Sequence, residues 1–359
     1  RHYRALSLLA LQDVTGAAKD VLYLVDQRTG DIDYALEWID LCRRSNAREL
    51  AVAVCDRFEE RAAPDPEISQ ARLSLISATA KPDAVLRELE RMVDRFPDIV
   101  EFRAYLASFL TEHGEANQAF DVLTTAEAID PYNGRVQFEL GSWYVGMHND
   151  KKAVHHYTRA FGSDDVEFTE VMTVLSHFHQ FLYSPVASAP LRPLLGAALA
   201  AHGGQSALFL MAADVALADG DVSRAQEFTR DAVEAQPHRI DGWRRLVAFD
   251  AQLEDWEGLA RDAEEGVERF PVDPELLLHA GMAAKALGNP SGAVVRCEQA
   301  KANLVTNNPE LKFRIHLVLG DALNASGRPL EAAEVYDVLV QMSPGNATLW
   351  NNQAWYYAQ

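Results

Sequence analysis

The sequence predicts an all-α fold: a superhelical solenoid of stacked antiparallel helix pairs, about ten units of 34 residues. Three observations predict it. Apolar and small residues recur at helical offsets of three and four in short blocks. The blocks come in pairs, and the pairs return at a fixed interval. The composition, 48% hydrophobic with only 20 Gly and 15 Pro in 359 residues, suits a folded, helix-rich chain.

The pattern is clearest from Gly134 to Asp165. Gln137, Leu140, Gly141 and Tyr144 share one stripe of a first helix, and Ala153, Tyr157 and Ala160 one stripe of a second. Asn149 and Asp150 between them read as a turn whose side chains cap the second helix. Such a hairpin cannot bury its stripes alone, so neighbours must stack on it.

The same frame recurs with starts at Ile32, Pro66, Val100, Gly134, Phe168, Ser206, Ile240, Pro274, Phe313 and Ala347, and seven of the nine intervals are 34. Residues 1–31 fit loosely, through Ala5, Leu8, Ala17, Val21 and Leu24, and read as a degenerate or cropped N-terminal repeat. Residues 32–183 form a first array. Residues 184–205 read as an irregular connection with a short helix, because Pro185, Pro190 and Pro193 interrupt helical backbone. A second array covers 206–346, with an insertion at 301–312, and 347–359 is the first helix of a truncated final repeat.

A helix–turn–helix period of 34 with this pattern resembles the tetratricopeptide repeat over residues 32–359. Small residues at the eighth and twentieth positions of a unit, such as Gly141, Gly281, Gly320, Ala153 and Ala332, let the paired helices approach closely. The resemblance implies that first helices line a concave surface, through their positions 2, 5, 6, 9, 12 and 13. It also implies a protein or peptide partner.

On that basis the candidate partner-binding residues begin with a ladder at the ninth position: Ser74, Ser108, Ser142 and Ser176. Small hydroxyls there suit hydrogen bonding to an extended backbone. Arg135, Phe138, Thr169, Met172, His179 and Gln180 flank the ladder and mix apolar with polar contact, as peptide grooves do. In the second array the ninth position becomes Asp214, and Leu210, Leu217, Arg244, Arg245, Leu278 and Leu317 suit a second site. The fifth and ninth positions lack the paired Lys and Asn of chaperone-binding members of the family, which argues against chaperone tails as partners.

No nucleotide-binding, zinc-protease or paired-cysteine motif is present, so no catalytic site, cofactor or metal is expected. His177 and His179 diverge on one helix, as do His155 and His156, and each reads as a satisfied or solvent-facing side chain. Cys42, Cys55 and Cys297 fall at core positions. Cys42 and Cys55 stand close enough in the frame to bond under oxidation. A formal charge of −20 argues against nucleic acid and anionic membranes. No run of 18 apolar residues marks a membrane span.

The function expected is a non-enzymatic scaffold for protein–protein interaction. The alternative is an assembly or regulatory segment of a larger bacterial envelope or exopolysaccharide-export protein that recruits a partner enzyme. The stretch Leu349–Trp355 is locally similar to late repeats of such proteins. The absent initiator Met and the aromatic helix carrying Trp350, Trp355, Tyr356 and Tyr357 also suit it, since that helix calls for a further repeat or chain to cover it. Cytoplasm and bacterial periplasm both fit the composition.

Overall fold

The computed structural model describes residues 1–78, 81–305 and 308–358, and contains 21 helices and no strand among them. Thr79, Ala80, Thr306, Asn307 and Gln359 lie outside the described residues, and with them part of the predicted 301–312 insertion and the last residue of the final repeat. The chain divides into two compact units, Arg1–Val171 and Met172–Gln359.

The first unit holds α1 (His2–Ala10), α2 (Val14–Asp26), α3 (Ile32–Arg44), α4 (Arg48–Arg61), α5 (Pro66–Ser77) and α6 (Pro82–Arg95). It continues with α7 (Val100–Glu112), α8 (Ala116–Ile129), α9 (Gly134–Gly146) and α10 (Asp150–Ala160). Next comes α11 (Phe168–His179), in which the division falls. The second unit holds α12 (Leu191–His202), α13 (Ser206–Ala218), α14 (Val222–Ala235), α15 (Ile240–Gln252) and α16 (Trp256–Arg269). After them come α17 (Pro274–Ala286), α18 (Pro290–Asn303), α19 (Pro309–Ala325), α20 (Pro329–Met342) and α21 (Ala347–Tyr357).

Many of the starts have a local cause. Asp31, Asp65, Asn133 and Asn149 cap α3, α5, α9 and α10 by accepting from backbone N–H groups of the first turn. Asp221, Asp255, Asp273 and Asn289 do the same for α14, α16, α17 and α18. Between the helices of a pair, position 15 takes a left-handed backbone, with φ of 55° at Asn46, 85° at Gly114, 54° at His148 and 81° at Gly220. Glu254 (56°), Gly288 (78°) and Gly327 (79°) repeat it. Glycine meets this demand without a Cβ clash, whereas His148 and Glu254 carry its steric cost.

Inside each unit the paired helices close over apolar clusters that follow one another along the chain. In the first unit Ala5, Ala17, Val21, Trp38, Cys42 and Cys55 are at 0% exposure, and they share one cluster running from α1 to α5. Leu89, Ala107, Leu123 and Leu140 belong to the next cluster, from α6 to α9. In the second unit Leu259, Leu276 and Ile315 belong to one cluster, and Leu319, Tyr336 and Leu349 to another. The eighth position shows why small residues sit there. A Cβ built on Gly141 stands 2.6 Å from the Tyr157 ring, one on Gly320 2.6 Å from the Tyr336 ring, and one on Gly281 2.7 Å from Cys297 Sγ. In all three cases the atom met belongs to position 24 of the same unit.

Candidate functional site

In the first unit the faces of first helices carry two open clefts. One, of about 280 Å³, lies between α3 and α5 and is lined by Leu36, Ile39, Asp40, Arg43, Ala71, Ser74 and Leu75. Asp40 accepts from Arg43 at 2.6 Å, and that bond, with the charge of Arg44, holds its carboxyl below the usual carboxylate range. The other, of about 230 Å³, is centred on α7, with Tyr105, Ser108, Phe109 and Glu112 on that helix, and Arg135 from α9 closing one side.

Arg135 is fixed by carboxylates on both flanks. It donates from one guanidinium nitrogen to Glu170 at 2.7 Å and from another to Glu139 at 2.9 Å. Burial disfavours its cation, but the Glu170 bond and the Glu139 charge outweigh burial, and its pKa is raised. Burial pushes the Glu139 carboxyl up despite that partner.

Within the serine ladder, Ser74 is exposed and Ser108 half-buried. Ser142 is half-buried, donates to the carbonyl of Phe138 at 3.2 Å and stands 3.0 Å from the Tyr157 hydroxyl. Phe138 is only 9% exposed, with its ring edge-on to Tyr157 at 5.3 Å, so it lies in the seam between α9 and α10. Thr169 is exposed and its hydroxyl donates to Glu167 at 3.4 Å.

In the second unit Met172 and Leu210 are half-buried, while Ser176 and Gln180 are exposed. Gln180 donates to the His177 carbonyl at 2.8 Å. His179, Asp214 and Arg245 come together: Asp214 lies 3.1 Å from His179 Nε2 and accepts from Arg245 at 2.5 Å. Arg244 turns elsewhere, donating to Asp273, the capping residue of α17, at 2.5 Å, and this bond raises its pKa. Leu278 is fully buried at 0%, whereas Leu317 is half-buried.

One polar network escaped the sequence reading. Lys285 donates to Asp321 at 2.8 Å, Tyr336 donates its hydroxyl to the same carboxylate at 2.7 Å, and Asn352 donates to the Tyr336 oxygen at 3.2 Å. Lys285 and Asp321 occupy positions 12 and 9 of consecutive units, the same register as His179 and Asp214. A base at position 12 followed by an acid at the next position 9 was the signal available in the sequence.

The remaining candidates have structural roles. His156 is buried, with Nδ1 2.8 Å from Gln137 Oε1, and its ring stacks on Tyr144. The three cysteines are free and buried, and burial pushes the Cys42 thiol up to about 11 and those of Cys55 and Cys297 up to about 12. Among the described residues no group of three or more His, Cys, Asp or Glu is placed to hold a metal ion, and no helix is long and apolar enough to cross a membrane.

Stacked helix pairs with small residues at the helix seam and a left-handed turn at position 15 define the class, an all-α repeat solenoid. Residues 296–347, which run from the middle of α18 through α19 and α20 to the first residue of α21, match the tetratricopeptide repeat family model. No curated protein matches the sequence. Among solved structures, the chain is similar to the MamA protein at 12% identity, with a TM-score of 0.42, covering 50% of this chain and 96% of that one. It is similar to the Cut9–Hcn1 hetero-tetramer of APC/C at 12% identity and a TM-score of 0.33, covering 94% and 91%. For PilF of Pseudomonas aeruginosa the identity is 14% and the TM-score 0.37, covering 71% and 96%.

Proposed function

We propose that this protein is a non-enzymatic scaffold that holds a protein or peptide partner along the concave faces formed by its first helices. The observation that supports this most is the pair of clefts in the first unit. Both are lined mostly from first helices, with Val85 and Leu89 of the second helix α6 flooring one of them, and they contain Ser74 and Ser108 at the same position of successive units. Each cleft sets aliphatic or aromatic side chains beside charged ones, Asp40 and Arg43 in one, Glu112 and Arg135 in the other. Apolar anchors with a few fixed polar groups are what an extended peptide requires. The ninth-position hydroxyls supply hydrogen-bonding groups between them.

The test is calorimetry of a purified partner with Ser74→Trp and Ser108→Trp variants. Both side chains reach solvent, so bulk added there blocks the clefts and leaves the seam intact. Binding weakened at least tenfold supports the reading; unchanged binding of every partner contradicts it.

A second reading, an assembly segment of a larger envelope or export protein, is favoured by α21. Trp350 (48%), Trp355 (54%) and Tyr357 (51%) leave large aromatic surface uncovered on that helix. A longer polypeptide whose next helix buries these three residues supports it, and a polypeptide in which they stay solvent-exposed counts against it.

A further inference from the structure

In the second unit, the row of second helices has one interruption. α14, α16, α18 and α20 are each 14 residues long, whereas α12 has 12 and carries Gly196, Ala197 and Ala198 in its middle turn. Gly196 lines a cleft of about 230 Å³ with Ala212 and Ala216 of α13, so small residues on two neighbouring helices leave the space. Leu195, Leu199 and Phe228 add apolar walls. That volume is below the ~300 Å³ at which whole small-molecule sites begin, and it suits a single side chain.

The rim sets the chemistry of the occupant. Arg192 and Asp219 form a two-pronged ion pair at the mouth. Arg224, also on the rim, is exposed and holds its guanidinium 5.4 Å from the Phe228 ring centroid. Asp219 is thus matched locally by Arg192, which leaves the rim with a net cation on a chain whose formal charge is −20. An aromatic side chain inside, with a carboxylate beside it against Arg224, satisfies both features.

We propose that this cleft is an anchor pocket for a partner protein segment that inserts one aromatic side chain flanked by a carboxylate. It stands apart from the first-unit clefts, which are built from residues 36–135, and does not rest on them.

The probe is 3-(4-fluorophenyl)propionate, followed by fluorine NMR with the full chain, beside its neutral amide. Gly196 lines the cleft and a Cβ there meets no atom within 4 Å, so Gly196→Phe starts from open space, is designed to occupy the cleft and replaces a glycine inside a helix. The expected result is binding of the acid by the wild type and at least a tenfold loss in Gly196→Phe, whose thermal midpoint is unchanged or higher. Arg224→Gln weakens the acid at least threefold and leaves the amide unaffected. Ser74→Trp and Ser108→Trp leave both probes unaffected, which separates this pocket from the first-helix faces. No binding by the wild type, undiminished binding by Gly196→Phe, or an acid and amide that respond alike to Arg224→Gln overturns the proposal.

Discussion

Adding one methyl group at Gly141 sets helix propensity against packing. Gly141 lies inside α9, where alanine in place of glycine gains up to ~1 kcal/mol. The new Cβ, however, falls 2.6 Å from Tyr157 Cδ1 and 2.8 Å from Cε1 and Cγ. That ring has little freedom to withdraw. It is 4% exposed, meets Phe138 edge-on at 5.3 Å and has its hydroxyl 3.0 Å from Ser142 Oγ. Overpacking of this kind costs about 1–3 kcal/mol. Gly146, the last residue of the same helix, has no atom within 4 Å of its Cβ position, so Gly146→Ala carries no clash and at most the same propensity gain. The two variants should differ by about 1–3 kcal/mol, with Gly141→Ala the less stable, in urea unfolding followed by circular dichroism. A difference below ~0.5 kcal/mol, the scatter expected of independent sites, refutes the close helix approach at the eighth position.

Three further outcomes follow from the same structure. Glu254 holds φ at 56°, so Glu254→Gly should stabilise the second unit by roughly 1 kcal/mol in urea unfolding; a loss of stability contradicts the strain at position 15. Asp250 is fully buried against Asp262 and Arg230, and burial, opposed by the Gln226 hydrogen bond and reinforced by Asp262, pushes its carboxyl up to about 6. The native state then keeps a proton that the unfolded chain releases near 3.8, so this stability is complete below pH 4 and lost as pH rises through 6. Asp250→Asn should flatten that fall, of ~1–3 kcal/mol, in stability measured from pH 4 to pH 7; an unchanged pH profile contradicts it. Buried thiols with raised pKa values should leave all three cysteines unlabelled by a thiol reagent at pH 8 until urea unfolds the chain, and rapid labelling of the native protein is the contrary result.

Helical periodicity made most of the fold legible. Nine of the ten frame starts, at Ile32, Pro66, Val100, Gly134, Phe168, Ser206, Ile240, Pro274 and Ala347, coincide with the first residues of helices. The tenth, Phe313, falls inside α19, which begins four residues earlier because Asn308 caps it and Pro309 suits its first turn. A strict 34-residue frame misses such local start signals. Residues 1–31 fit the frame loosely yet form α1 and α2, with Ala5, Ala17 and Val21 fully buried, since packing on α3 and α4 compensates for a weak pattern.

The site was less legible, because the repeat frame fixes which helix carries a residue and not how far its side chain sinks. Position 5 illustrates this: Ala104, Phe138 and Leu278 are buried there, whereas Leu210 and Leu317 are only half-buried. Adjacent residues diverge as well. Arg245 reaches Asp214 while Arg244 reaches Asp273, because neighbours on a helix point about 100° apart. The cleft beside Gly196 had no sequence signal beyond a run of small residues, since its existence depends on what three helices fail to fill.

Site-specific photo-crosslinking distinguishes a partner held on the proposed first-helix faces from one held elsewhere. A photoreactive residue is placed at Ser74, at Ser108 and, for contrast, at Val295, which is 56% exposed on the second helix α18. A purified partner is expected to crosslink from positions 74 and 108 and not from 295. Crosslinking from 295 alone would contradict it.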